Sequence, residues 1–142
     1  MNREEFLQQF EPINENDLYR ELYFYRPAAF EKPVESWEEF CSRFAGADGG
    51  DGRRLPSEPP TPIAAFFTEE EYFSREMWGE VNVIINARYC PAFLHKLEFI
   101  KIIYAFRGSC RFFIDGHWIK MTEGNACIVA PGVEQTVFSC AD

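Results

Sequence analysis

His95 and Lys101 are the residues of this sequence that could serve in catalysis or ligand binding within an apolar environment, because of their types and their spacing. Lys101 is the only charged residue in the run 99–106, and His95 lies six positions before it. Alternate residues of a β-strand share a face, so four side chains would point to the same side, namely His95, Leu97, Lys101 and Ile103. An imidazole can exchange a proton or bind a metal ion, and an ammonium group can bind an anion.

The residues around His95 do not form a pattern that is typical of catalysis or of a metal site. No serine, cysteine or aspartate stands at a spacing that suggests a nucleophile with its base. The second histidine, His117, follows a predicted hairpin turn, and the five cysteines contain no Cys-x-x-Cys pair. We therefore predict no enzyme activity, no metal ion and no other cofactor. The cysteines are interpreted as free thiols of a reducing compartment, with a redox switch as the alternative.

Lys101 admits two interpretations, because an unpaired ammonium group in an apolar core is costly. In one, its charge is paired with Glu98, Glu134 or an acid of the first half, or its head group is simply exposed, and His95 is an ordinary core residue. In the other, Lys101 is part of the polar end of an otherwise apolar pocket. Such a pocket would suit a small molecule that carries a carboxylate, a phosphate or hydroxyl groups. The candidate ligand-binding residues are then His95, Leu97, Lys101, Ile103 and Gln135.

The second half of the sequence predicts short β-strands, which would position these residues. Asp115-Gly116 stands between two apolar segments and predicts a two-residue hairpin turn. Short strands at regular spacing predict a mainly β fold, a small antiparallel barrel or sandwich. The expected strands are 81–85, 99–106, 112–114, 117–119, 126–130 and 135–139.

Both faces of the strand at 99–106 are apolar. If Lys101 and Ile103 point inward, then Ile102 and Tyr104 point outward and also need cover. We expect the helices of the first half to supply that second layer, with a second subunit as the alternative.

The first half of the sequence predicts short helices at 2–10 and 37–44, and between them a helical or extended segment at 17–26. Ser36 and Glu39 form a capping box at the start of the helix at 37–44, and Thr68 with Glu71 forms another. Residues 45–62 contain four glycines and four prolines and predict a flexible linker. The predicted organisation is a helical segment (1–44), this linker (45–62) and a β domain (63–142).

The charge distribution argues against a nucleic-acid-binding surface. The chain carries 14 bases and 23 acids, a net charge of −9. Residues 1–80 hold 8 bases and 18 acids, and residues 81–142 hold 6 bases and 5 acids, so neither part is strongly basic. There is no apolar run of the length that a membrane helix needs, and the first residues are acidic where a signal peptide would be basic. We predict a cytoplasmic protein without a membrane partner.

Two segments resemble the motifs of the cupin fold. The run 88–108 (RYCPAFLHKLEFIKIIYAFRG) resembles the first cupin motif, and more narrowly the sensor domain of AraC-type bacterial transcription regulators. The run 124–135 (GNACIVAPGVEQ) resembles the second motif, with a glycine, a strand and then Pro131-Gly132. The resemblance covers about residues 81–140. It implies a cupin-like double-stranded β-helix, or antiparallel barrel, preceded by short α-helices and incomplete at its C-terminal end.

The sequence departs from the metal-binding version of these motifs. Such a cupin presents two histidines two residues apart, then a glutamate four further on, and a last histidine in the second motif. Here these positions hold His95, Leu97, Lys101 and Gln135. One imidazole is too few ligands for a divalent ion, and Lys101 would place a positive charge beside it.

The resemblance therefore implies a ligand-sensing and dimerisation domain of an AraC-type regulator. Its partners would be a small anionic or sugar-like effector and a second copy. DNA would be bound only through a C-terminal helix-turn-helix region, which this sequence does not contain. The alternatives are a metal-dependent cupin enzyme of the sugar isomerase or dioxygenase type, and an interaction module without a ligand.

Overall fold

In a computed structural model of the chain, the structure describes residues 5, 17–44, 55–72, 86 and 88–139. The helices are α1 (Asp17–Tyr25), a 3-10 helix (Pro27–Phe30), α2 (Trp37–Ser42) and α3 (Glu69–Tyr72). The strands are β1 (Phe66–Phe67), β2 (Lys96–Leu97), β3 (Lys101–Tyr104), β4 (Ser109–Ile114), β5 (His117–Thr122), β6 (Ala126–Val129) and β7 (Gln135–Phe138). The predicted mainly β class is confirmed, although the described strands do not close into a barrel.

A three-stranded antiparallel sheet in the order β5-β4-β7 forms the centre of the fold. Its β4–β5 hairpin pairs Ile114 with His117 across a two-residue turn. Asp115 and Gly116 in that turn have φ values of 45° and 83°. A type I′ turn requires a positive φ at both positions, which Asp-Gly tolerates. The hairpin predicted from this dipeptide is therefore confirmed.

A second antiparallel sheet consists of β3 and β6, with Ile103 opposite Cys127. It packs on one face of the three-stranded sheet, where Ile103, Ala105 and Val129 bury against Phe112 and Met121. The short parallel pair β1–β2 is separate from both sheets. An isolated bridge between His95 and Gln135 links the segment before β2 to the start of β7.

The helices pack on the other face of the three-stranded sheet. Phe30 and Phe40 form one core with Tyr89, Phe93 and Phe138. Their rings meet in edge and tilted contacts, with centroids 5.2 Å apart for Phe30–Phe40 and 5.8 Å apart for Phe30–Phe138. The described layers are thus helices, then β5-β4-β7, then β3-β6.

This order corrects one expectation from the sequence. The described helices do not cover the outer face of β3, on which Ile102 and Tyr104 are exposed. They cover the three-stranded sheet instead, because its rear face presents Phe138 and the partly buried Trp118 to them. The apolar outer face of β3 has no covering layer among the described residues.

The predicted cap of α2 by Ser36 is confirmed, although Glu39 reaches back to the amide of Glu35 and not to that of Ser36, and Glu39 also pairs with an arginine. Ser36 Oγ accepts a hydrogen bond from the Glu39 amide at 3.1 Å, and Glu39 Oε2 accepts one from the Glu35 amide at 2.8 Å. Glu39 Oε1 also pairs with Arg43 at 2.9 Å. The pKa of Glu39 is lowered, chiefly by the Glu35 amide and then by Arg43. The Thr68–Glu71 box is likewise present, with Thr68 Oγ1 accepting from the Glu71 amide at 3.3 Å.

Arg43 ties α2 to the 3-10 helix by donating to three backbone carbonyl oxygens. They are those of Ala29 (2.9 Å), Lys32 (2.6 Å) and Pro33 (2.8 Å). Arg43→Ala is expected to lower the free energy of unfolding by about 2 kcal/mol, because charge-assisted hydrogen bonds are lost and partly buried acceptors stay unpaired. Urea denaturation measures this loss. Arg20→Ala, at an exposed position of α1, is the matched control and should change stability little.

Several sequence predictions concern residues outside the described ranges. These are the strand at 81–85, most of the helix at 2–10 and residues 45–54 of the predicted linker. Residues 55–65 contain neither helix nor strand, and the Glu58 carbonyl accepts a hydrogen bond from the Tyr19 hydroxyl at 3.3 Å. None of the helices in the described ranges has the length and apolar character of a membrane span.

Candidate functional site

Three of the five candidate residues meet at one end of the space between the two antiparallel sheets. His95 lies just before β2, Lys101 begins β3 and Gln135 begins β7. The His95 amide donates to the Gln135 carbonyl at 3.1 Å, and the Gln135 amide donates to the His95 carbonyl at 3.0 Å. This backbone bridge fixes the two side chains beside each other. We call His95, Lys101 and Gln135 the polar cluster.

The side chains of the polar cluster form a hydrogen-bonded row with one consistent direction. His95 Nδ1 lies 2.9 Å from the Phe93 carbonyl oxygen, which can only accept, so Nδ1 carries the proton. His95 Nε2 is then an acceptor for Gln135 Nε2 at 3.1 Å. The Gln135 Oε1 atom in turn accepts from Lys101 Nζ at 3.4 Å. The row therefore holds a neutral imidazole of defined tautomer and a charged lysine at its other end.

The two other candidate residues are both buried and apolar, Leu97 in β2 and Ile103 in β3. The alternation inferred from the sequence holds along this segment, since Lys96 and Ile102 are exposed. The Leu97 carbonyl accepts from the Gly132 amide at 2.9 Å, which joins this segment to the Pro131-Gly132 turn before β7. The polar cluster is thus set in an apolar frame.

Lys101 has no acidic partner among the described residues. Glu98, one of the acids considered from the sequence, instead accepts a hydrogen bond from the Glu69 amide at 3.1 Å. The other, Glu134, is exposed at the turn before β7. The ion pair that one interpretation of the sequence expected is therefore not formed with either residue. Within the described ranges, Nζ donates one hydrogen bond, the 3.4 Å contact to Gln135 Oε1.

Burial changes the acid–base properties of both basic groups. It lowers the pKa of Lys101 to about 8, because the charged form loses hydration. The pKa of His95 falls to about 4, first through burial and then through the nearby Lys101 charge, while the hydrogen bond to the Phe93 carbonyl opposes the shift. At neutral pH the imidazole is uncharged and the lysine is predominantly charged. The cluster then presents one positive charge, for which the described ranges supply no counter-ion.

This arrangement suits recognition of an anion better than proton transfer. Both nitrogens of His95 are engaged, one with Phe93 and one with Gln135. Lys101 keeps donor capacity beyond its single contact, since an ammonium group has three N–H bonds. In the described ranges there is no group of three histidine, cysteine, aspartate or glutamate side chains placed to hold a metal ion.

Two groups that contribute to the site were not predicted from the sequence. The Phe93 carbonyl sets the tautomer of His95, and the Phe67 ring packs edge-on against the imidazole with centroids 5.7 Å apart. A backbone carbonyl is present at every residue, so its role as an acceptor cannot be predicted from the residue types. Phe67 reaches the site because β1 pairs in parallel with β2, which places Phe67 opposite Leu97, 30 positions further along the chain. The apolar run 63–67 was the only signal for it.

Comparison of the chain with protein-family models, with curated proteins and with solved structures found no match.

Proposed function

We propose that this chain is the ligand-sensing domain of a cytoplasmic AraC-type transcription regulator with a cupin-like β fold. The observation that carries the proposal is the positive charge of Lys101, half-buried beside His95 and Gln135 and without an acidic partner in the described part of the chain. A ligand that brings a negative group to Nζ would supply the missing counter-ion. Binding would therefore recover part of the cost of burying that charge.

Features of the fold support the cupin-like part of the proposal. The β3 strand, the Asp-Gly hairpin and the Pro131-Gly132 turn occur in the order that the two motifs imply, and they surround one apolar core. The position of the second motif's last histidine is occupied by Gln135, which lies beside His95. A side chain at that position thus faces the first motif, as it would in a metal-binding relative.

The chemistry of the cluster defines the class of effector. Lys101 would bind a carboxylate or phosphate group, and the Gln135 amide would bind hydroxyl groups. Leu97 and Ile103 would contact the apolar part of the molecule. A small anionic or sugar-like metabolite fits this combination. No residue is assigned a catalytic role, and DNA would be contacted by a separate helix-turn-helix region.

An effector would act through a population shift. Lys101 and Gln135 begin different strands, β3 and β7, which belong to the two sheets that enclose the apolar core. A molecule bound to both side chains would favour the arrangement of the sheets in which the two lie closest. Only such differential affinity for two states can be passed to a DNA-binding region.

The proposal is tested by thermal unfolding with a panel of carboxylates, sugar phosphates and neutral sugars. A true effector at 100 times its Kd should add about 2.7 kcal/mol to the stability, which raises the Tm by several degrees. Lys101→Met should abolish the shift for anionic compounds. Lys120→Met, at an exposed position of β5, is the matched control and should retain it.

Two results would contradict the proposal. One is a Tm that no anionic or sugar-like compound raises, together with an equal response of wild type and Lys101→Met. The other is stoichiometric iron, manganese or zinc in protein purified without added metal, which would favour a cupin enzyme.

A further inference from the structure

The outer face of the β3–β6 sheet is an exposed apolar surface. Ile100 is 63% exposed, Ile102 67%, Tyr104 57% and Ile128 69%. Ile100 directly precedes β3, and Ile102, Tyr104 and Ile128 alternate with buried residues of the two strands. We call these four residues the outer patch.

The outer patch carries no charged side chain. Its members on β3 are the alternate residues Ile102 and Tyr104. On β6, Ile128 lies opposite Ile102 and Ala126 lies opposite Tyr104. The surface of α1 is different, because its exposed aromatic residues Phe24 and Tyr25 lie beside charged residues, Arg20 and Glu21. Contiguous apolar surface without charge is typical of a surface that another protein covers.

We propose that a second copy of this chain covers the outer patch, sheet against sheet. Ile102 lies directly opposite Ile128 in the antiparallel register. A two-fold axis parallel to the strands, midway between two facing sheets, places Ile102 of one copy over Ile128 of the other, and the reverse. The patch is thus complementary to itself, and the facing sheets would pack at the usual spacing of about 10 Å.

The area of the outer patch fits a reversible dimer. From their exposed fractions, the four side chains present about 500 Å² per copy, so that a dimer would bury about 1,000 Å² in total. This value lies at the lower limit for a specific interface. The dimer should therefore dissociate on dilution.

Charge favours this face over the opposite side of the molecule. The whole chain carries −9, so two copies repel each other wherever their acids meet. Residues 17–44, which form the helical layer, hold six acids and four bases, whereas residues 88–139 hold four acids and six bases. Pairing through the β3–β6 sheet places the acidic layers at the two far ends of the dimer, where like-charge repulsion is weakest.

The dimer surface is independent of the proposed ligand chemistry, although both involve β3. Lys101 points between the sheets and Ile102 points to the outer patch, since neighbouring residues of a strand face opposite sides. The two proposals can therefore fail separately. Ile128→Asp should leave the effector-induced Tm shift intact, and Lys101→Met should leave the dimer intact.

Sedimentation velocity of the 142-residue chain, from low to high micromolar concentration, tests the dimer. The wild type should shift from monomer to dimer as the concentration rises. Ile128→Asp should raise the dissociation constant more than about a hundredfold, because the two-fold axis buries two unpaired carboxylates. Ile119→Asp, at an exposed isoleucine of β5 outside the patch, is the matched control and should dimerise like wild type.

A milder variant guards against misfolding of Ile128→Asp. Ile128→Thr keeps a β-branched side chain in the strand and should weaken the dimer about tenfold, with an unchanged far-UV spectrum. A wild type that stays monomeric at every concentration overturns the proposal and points to cover by another segment of the chain. A dimer that neither Ile128 variant weakens also overturns it.

Discussion

The free energy of unfolding is expected to fall by about 3 kcal/mol through His95 alone as the pH is lowered from 6.5 to 4. Burial lowers the pKa of His95 from its ordinary value of 6.5 to about 4 in the folded protein. Between these values the unfolded chain binds a proton that the folded chain does not bind. Stability is therefore complete above pH 6.5 and is lost progressively as the pH falls toward 4.

The hydrogen-bonded row explains why the folded protein resists this proton. A protonated Nε2 would face the amide N–H₂ group of Gln135, so that two donors would meet. Turning the amide round would satisfy Nε2 but would direct the same N–H₂ group at Lys101, which is also a donor. Each rearrangement leaves one unfavourable donor pair beside a second positive charge.

Urea denaturation of wild type and His95→Gln across this pH range measures the effect. Other groups contribute to acid denaturation in both proteins, so the contribution of His95 is the difference between the two curves. The glutamine variant should be less stable at pH 7 and should lose the His95 part of the slope. His117→Gln, at an exposed position of β5, should retain the full wild-type slope. Parallel curves for wild type and His95→Gln would contradict the lowered pKa.

Local features of the fold were accessible from the sequence because short-range physics determines them. The Asp115-Gly116 turn, the cap of α2 by Ser36 and the alternation of buried and exposed residues near Lys101 each depend on neighbours within a few positions. In such cases the residue types themselves carry the constraint. The structure agrees with the sequence in all three.

Long-range features were not accessible in the same way. Both faces of β3 are apolar, so composition could not decide which face the helices cover, and the expected layer order was wrong. The ring contact of Phe30 with Phe138 joins residues more than a hundred positions apart, and no local pattern announces it. The polar cluster was partly accessible, because strand alternation placed His95 and Lys101 on one face. Gln135 was identified as a candidate residue only through the resemblance of residues 124–135 to the second cupin motif.

Lys101 is expected to oppose folding at neutral pH and to stop doing so in alkaline solution. Burial lowers its pKa from 10.5 to about 8 in the folded protein. Between these values the unfolded chain again binds the extra proton, so stability rises with pH across this window. The gain from Lys101 should be about 3 kcal/mol between pH 8 and 10.5.

Other groups titrate in the same window with the opposite sign. Burial raises the pKa of Cys90 to about 11, and it also raises the pKa of the Tyr19 hydroxyl. Their stabilising effect is lost as the pH rises through their folded values, which works against the gain from Lys101. The wild-type curve alone therefore does not isolate the lysine, and the comparison with Lys101→Met is required.

At pH 7, Lys101→Met should be more stable than wild type by about 1–2 kcal/mol, since removal of the buried charge outweighs the lost donor to Gln135 Oε1. This stability advantage should shrink and then reverse as the pH rises toward 10.5, where the wild-type lysine is neutral. Lys120→Met should show neither effect, because Lys120 is exposed. A bound carboxylate or phosphate should raise the pKa of Lys101, so that the increase in wild-type stability with pH occurs at higher pH. A stability advantage of Lys101→Met that does not vary with pH would contradict the lowered pKa and show that the lysine is solvated.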